Sequence, residues 1–301
     1  LISDRKAEQR MFMADGWRDY EILDCSDGEK LERWGDKILV RPDPQVVWRT
    51  QKNASEWNAA DARYNRSKSG GGSWQSFKKL PQVWTIDYKN LRFGVKPMGF
   101  KHTGLFPEQA ANWDWFSEVI KKAVKEQNRE INVLNLFAYT GGATVAAAAA
   151  GAKVCHVDAA KGMVSWAKEN AALSGLGESP IRYIVDDVVK FVRREIRRGH
   201  KYDAVIMDPP SYGRGPGGEV WKIENEIFDL IELCMSLLSD DPIFFLVNSY
   251  TTGLAGSVME NILKLTIGDR FGGSITADEV GLPVRGGEIV LPCGYSARWQ
   301  A

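Results

Sequence analysis

Glycines and aspartates punctuate the middle of this 301-residue chain at the ends of apolar runs. "NLFAYTGG" (135–142) sets Gly141 and Gly142 after one run, and Asp158 closes the next. Asp186 and Asp187 close a third, and Asp208, in "DPP", a fourth. Glycines without a Cβ let a ligand meet backbone N–H groups. A carboxylate one strand further on can accept both hydroxyls of a ribose. Each feature alone has a plainer explanation. Gly-Gly can be a turn, Asp158 or Asp187 a helix N-cap, and Asp-Pro-Pro a loop stop. Four such tips at the same end of one sheet point to a nucleoside-containing ligand. The sequence has no GxGxxG and no GxxxxGK[ST], which argues against dinucleotides and nucleoside triphosphates.

These residues meet only if the runs between them are strands of one sheet. From residue 108 the pattern alternates. "EQAANWDWFSEVIKKAVKEQ" (108–127) has helical spacing and "INVLNLF" (131–137) is a continuous apolar strand. "GATVAAAAAGA" (142–152) reads as a small-residue helix, then strand "KVCHVDA" (153–159) and helix 162–175. Strand "IRYIVDD" (181–187), helix 188–199, strand "YDAVIMDPP" (202–210), helix 221–238, strand "PIFFLVNS" (242–249) and helix 257–268 follow. Two strands near 274–280 and 287–292 close the chain. This predicts an α/β, doubly wound, mostly parallel seven-stranded sheet with its ligand crevice at the strands' carboxyl ends. "GLPVRGG" between the last two strands is too short for a crossover helix, so at least one of them is expected to be antiparallel.

Residues 1–99 read as a small β-rich domain, with 100–301 as the larger one. Strand-like pieces are "YEILDC" (20–25), "KILVRP" (37–42), "QVVW" (45–48), "QVWTID" (82–87) and "LRFGVKP" (91–97). The polar stretch 49–80, with "SKSGGGS", is expected to be a flexible basic loop. Its Arg63, Arg66, Lys68, Lys78 and Lys79, beside Tyr64 and Trp74, could contact a nucleic-acid backbone and stack on bases; a solvated loop is the simpler expectation. Basic and acidic residues balance at 39 each, so no global basic field exists. Cys25, Cys155, Cys234 and Cys293 lack CxxC spacing, and His102, His156 and His200 lack ligand spacing. The expectation is a reduced, cytoplasmic protein without a metal site. No apolar run approaches membrane-spanning length. The opening "LISDRKAEQRMF" has no apolar core of a secretory signal and no initiator Met, so the numbering is expected to begin inside a longer chain.

"NLFAYTGGATVAAAAAGA…VDAAKGMVSWAKENAALSG…VDDVVKF…YDAVIMDPPSYG" resembles the class I S-adenosylmethionine-dependent methyltransferases. "FKHTGLFPEQAANW" (100–113) is similar to the segment before the core in the branch holding bacterial 23S ribosomal RNA large-subunit methyltransferases. The resemblance covers roughly 85–255 and implies a Rossmann-like fold with S-adenosyl-L-methionine as cofactor and S-adenosyl-L-homocysteine as product. It implies that Phe137, Ala138, Tyr139, Thr140, Gly141 and Gly142 wrap the methionine part. Asp158 would hold the ribose, with Ala159 and Lys161 beside it. Asp187 and the Val188 N–H would meet adenine. Thr103, Gly104 and Gln109 would close the pocket. Asp208, Pro209, Pro210 and Tyr212 would form the floor at the methyl group, the Pro-Pro turn holding carbonyls still to accept from an amine. Tyr212 either stacks on a flipped base or is a surface aromatic beside "GRGPGG".

Carbon-5 of cytosine needs a cysteine nucleophile. Cytosine-5 enzymes of this branch carry one after strand five, where this chain has "LVNSYTTGL" with Asn248, Ser249 and Tyr250. Cys155 and Cys234 read as core thiols. A base nitrogen of ribosomal RNA therefore fits better, with Asn248 as a polar orienting group. The alternatives are a methyltransferase for protein or small molecules, and a non-catalytic module that binds the cofactor or RNA.

Overall fold

The computed structural model describes residues 11–67, 71–214, 220–250 and 253–301. Seven long strands make the main sheet: β1 Asn132–Leu136, β2 Lys153–Asp158, β3 Ile181–Val185, β4 Ala204–Met207, β5 Phe244–Ser249, β6 Ser274–Pro283 and β7 Val290–Gln300. Their order is β3-β2-β1-β4-β5-β7-β6. The first five are parallel, and β7 runs antiparallel between β5 and β6. Met11–Met13 adds an eighth strand, parallel to β6 at the edge. The antiparallel expectation holds, but Gly281–Pro283 is part of β6. The reversal therefore occupies only 284–289.

Helices α1 Ala110–Gln127, α2 Gly142–Ala149, α3 Lys161–Leu173, α4 Val188–Arg197, α5 Ile223–Met235 and α6 Gly256–Leu263 cover the sheet. Burial explains the uninterrupted apolar strands. Val133, Ile206, Phe244 and Leu246 pack with Trp113, Phe116 and Val145. Leu134, Leu136, Met207 and Val247, on the opposite face, pack with Phe191, Ile227 and Met259. A strand buried on both faces has no side for polar residues.

The amino-terminal region is more ordered than its composition implies. Tyr20–Ser26, Glu29–Trp34, Lys37–Pro42, Ala62–Arg66 and Gly72–Ser76 form one five-stranded sheet, and Trp84–Tyr88 pairs with Leu91–Val95. Residues 45–48 are not a strand; Val46 and Trp48 carbonyls accept from the Gly28 and Asp27 amides instead. The predicted loop 49–80 contains the helix Ala54–Asn58 and a hairpin, Ala62–Arg66 with Gly72–Ser76. Apolar anchors missed in a polar composition explain this. Tyr64 is buried edge-on against Trp74, with ring centroids 5.5 Å apart. The Trp74 indole N–H donates to Met98 O and Phe100 O, both at 3.0 Å. The Tyr64 ring is closed to base stacking, and the Trp74 ring is half-buried. Two of the cations are also neutralised: Arg63 pairs with Glu29 (3.2 Å) and Lys78 with Asp61 (2.9 Å). Lys68 lies outside the described residues.

Candidate active site

The turn from β1 into α2 holds two bulky residues in a strained backbone conformation. Phe137 (φ 55°) and Tyr139 (φ 50°) are both left-handed, which bulky residues adopt only where their surroundings hold them. Here the holding groups are hydrogen bonds. Tyr139 N–H donates to Asp158 Oδ2 (2.8 Å) and Ala138 N–H to Val157 O (3.0 Å). Asn170 Nδ2 donates to Thr140 O (2.8 Å), and the Thr140 hydroxyl to Gly104 O.

The two glycines answer first to the protein's own packing. Gly141 is left-handed (φ 83°), and a Cβ there would lie 2.7 Å from the Ala167 Cβ. A Cβ on Gly142 would lie 2.7 Å from Trp113 Cζ2. Their missing side chains let α3 and α1 approach the turn. Gly104 (φ 96°) is likewise pressed against the Trp166 ring.

Beyond the turn, a cleft opens at the carboxyl ends of β1 and β4. It gathers Gln109, Phe137, Ala138, Tyr139, Thr140, Gly142, Asp208 and Asn248 from the expected residues. Phe106 and Trp113 also line it, although nothing in their spacing singled them out. Asp158 stands behind the Tyr139 peptide, its other oxygen accepting from Ala160 N–H (2.8 Å). Ala159 and Lys161 are exposed beside it. At the β3 tip Asp187 is exposed and caps α4 by accepting from Lys190 N–H (2.9 Å), while Val188 is buried in the core. Asp186 pairs with Arg194 at 2.6 Å. Thr103 is fully buried, and neither it nor Gly104 is among the residues lining the cleft. Tyr212 is half exposed on the strand Tyr212–Arg214, paired with Val220–Lys222. The Pro210 carbonyl already accepts from the Trp221 indole at 2.6 Å. A carbonyl oxygen has two lone pairs, so one acceptor position remains there.

Asp208 is the electrostatic centre. Its Oδ1 is buried without a hydrogen-bond partner. Burial, and then the nearby Glu108 carboxyl, push its pKa up to about 7, against a donated Asn248 hydrogen bond that stabilises the ionised form. Glu108 is itself raised by burial, with Lys30 and Arg41 opposing. The Tyr250 phenol is raised by burial and then by Asp208. His102 is lowered to about 4 by burial, so it is neutral at pH 7. The thiols are poor nucleophiles. Burial pushes Cys155 up to about 11 and Cys234 up to about 12. Cys293 is also raised, by burial and then by Glu108. A protonated thiol does not attack. Among the described residues no cluster of metal-ligating side chains occurs.

Residues 46–226 match the family described as S-adenosylmethionine-dependent methyltransferase. This chain belongs to that family. S-adenosylmethionine is accordingly its cofactor. A crystal structure of the S-adenosylmethionine-dependent methyltransferase from Agrobacterium tumefaciens is 35% identical with TM-score 0.89, covering 97% of this chain and 94% of that one. A methyltransferase structure from Streptococcus mutans shares the fold at 19% identity and TM-score 0.73, over 95% of this chain and 76% of that one. Ribosomal RNA large subunit methyltransferase K/L of Shewanella frigidimarina is 31% identical over 175 residues, 57% of this chain but only 23% of that protein. Ribosomal RNA large subunit methyltransferase K of Neisseria meningitidis is 26% identical over 82% of this chain and 68% of its own length. The chain thus spans about a quarter of the K/L relatives it matches. Among the described residues no helix is long and apolar enough to cross a membrane.

Proposed function

We propose that this protein methylates a base of large-subunit ribosomal RNA, at a nitrogen rather than at cytosine C5. The observation that carries this reading is the combination of an unpartnered Asp208 oxygen in the cleft with no thiol among its lining residues. The names of the relatives support RNA as the acceptor. Residues 100–301 hold the cofactor in this reading, and 1–99 select the RNA.

The bound cofactor supplies an electrophilic methyl group on a sulfonium, which needs alignment more than activation. The left-handed turn at 137–142 presents backbone around its methionine part, with Gln109 opposite. Thr103 and Gly104 hold the closing segment from behind. Asp158, with Ala159 and Lys161, meets the ribose, and Asp187 and Val188 meet the adenine. Asp208 accepts an N–H of the target base, orienting the nitrogen lone pair at the methyl, and takes the proton that methylation releases. Asn248 stabilises the ionised Asp208. Pro209 and Pro210 keep the loop rigid, and Tyr212 offers an exposed ring beside it.

A second reading, transfer to a protein or small molecule, draws support from the paired cations of the amino-terminal hairpin. A third is a module that binds cofactor or RNA without catalysis. Tritiated methyl transfer to unmodified large-subunit RNA, followed by nucleoside mass spectrometry, separates them. An N-methylated nucleoside is expected. 5-Methylcytidine would refute the nitrogen assignment, and label only in protein or small molecules would favour the second reading. No binding of S-adenosylhomocysteine would defeat the methyl-transfer reading altogether.

A further inference from the structure

Arg298, on β7, is nine-tenths buried. Its Cζ lies 3.5 Å from the Phe12 ring centroid and 5.0 Å from that of Trp115. Its Nε–H donates to Asn112 Oδ1 (2.9 Å) and an Nη2 hydrogen to Ala111 O (3.0 Å). Burial pulls it down to about 9, with Asp278 opposing, so it stays protonated at neutral pH.

A guanidinium can only donate. Asn112 must therefore face it with Oδ1, which turns the Asn112 amide hydrogens inward to Gln109 Oε1 (2.8 Å) and Ser296 Oγ (2.9 Å). Ser296 then donates to Asn248 Oδ1 at 2.6 Å. Asn248, accepting through its oxygen, donates through Nδ2 to Gln109 Oε1 (3.0 Å) and lines the cleft with Asp208, whose ionised form it favours. Gln109, accepting through its oxygen, donates Nε2–H to the Tyr250 hydroxyl oxygen at 2.5 Å. Every step has one direction, and Arg298 sets it. With that arginine gone, the amides can flip, and a flipped Asn248 would set an oxygen against the Asp208 carboxylate.

We propose that Arg298 is a positioning residue for the transfer site: by fixing the direction of this buried chain it turns an Asn248 N–H toward Asp208. The cleft then offers one acceptor, Asp208 Oδ1, which matches a base edge carrying an N–H. The inference rests on the methyl-transfer reading of the cleft, but its test does not require turnover.

The groups facing Asp208 are Glu108 from the turn before α1, Asn248 at the end of β5 and Tyr250 just beyond it. The midpoint of Asp208 is followed by carbon NMR in protein labelled at aspartate carboxyls, with Asp208→Asn assigning the resonance. In the wild type it is expected near 7. Arg298→Met should raise it by about one unit, the size of one hydrogen bond to a charged group. Asn112→Asp, which keeps Arg298 paired but cannot donate onward, should raise it as well and decides the matter if the methionine variant fails to fold. Arg298→Lys, still donor-only, should keep the wild-type midpoint. An unmoved midpoint in Arg298→Met or Asn112→Asp, or an equal shift in all three variants, would overturn the proposal. Calorimetry with S-adenosylhomocysteine runs alongside: absent binding by wild type counts against the methyl-transfer reading and leaves the Asp208 midpoint to judge the chain.

Discussion

Asp158 is where a single atom exchange should cost most. Its two oxygens accept from Tyr139 N–H and Ala160 N–H, both at 2.8 Å. Hydrogen bonds to a charged group are worth about 1.5–3 kcal/mol each. Asp158→Asn keeps the shape but offers one acceptor oxygen, so its amide hydrogens meet one of the two backbone donors. About 2 kcal/mol is lost at that contact, and Tyr139, at φ 50°, loses a restraint on its strained conformation. If Asp158 also accepts the ribose hydroxyls, a second loss of similar size falls on the complex alone. At about 1.4 kcal/mol per tenfold, that second loss weakens S-adenosylhomocysteine binding by roughly 10- to 100-fold, while the first falls on free and bound protein alike. Calorimetric titration at pH 8 is the assay. Burial raises the Asp158 pKa, so an alkaline assay favours its ionised form. Thermal unfolding without ligand isolates the local part, since it registers only the lost backbone contact. A variant that binds within about threefold of wild type would refute the ribose role, and an unchanged unfolding midpoint would refute the restraint on the turn.

Gly142→Ala should destabilise by about 1–3 kcal/mol in urea unfolding, because its Cβ meets the buried Trp113 ring at 2.7 Å; an unchanged midpoint would contradict that packing. Asp208 has a folded-state pKa raised to about 7, above the roughly 3.9 of an unfolded chain. The native state binds the extra proton, so wild-type stability should fall as pH rises from about 4 to about 7, and Asp208→Asn should flatten that slope. Urea titrations at pH 5 and pH 8 read the difference. Glu195 goes the other way. It is fully buried, and burial notwithstanding it is lowered to about 2 by hydrogen bonds from Arg182, His200 and Tyr202. Its contribution is present above about pH 4.3 and lost as pH falls toward 2; Glu195→Gln should remove this acid sensitivity. Cys293→Ser should retain methyl transfer within about threefold, whereas a loss of 100-fold would revive a thiol mechanism.

The strand-tip motifs and the order of strands and helices were readable because they follow from local chemistry. Five apolar runs alternating with helices allow few arrangements other than a parallel sheet covered on both faces. Asp158 and Asp208 then necessarily share its carboxyl edge with the "TGG" turn. The family resemblance rested on those same contiguous stretches. The reversal after β6 was foreseen from a short connection, but its place was not. Gly281–Pro283 extends β6 by pairing with 290–292, a contact between segments that spacing alone does not locate.

Tertiary packing decided the rest. Composition made 49–80 look like a loop, while Tyr64 and Trp74 anchor it as a hairpin against 98–100. The glycines of "TGG" read as room for a ligand, and packing adds a demand the sequence did not show, room for Trp113 and Ala167. Asn112, Ser296 and Arg298 carried no signal at all. Ser296 and Arg298 lie 184 and 186 positions from Asn112 in the chain. They meet it because β7 returns antiparallel beside β5. A sequence shows which residues can donate and accept; the direction in which a buried chain of amides donates exists only once its members are packed side by side.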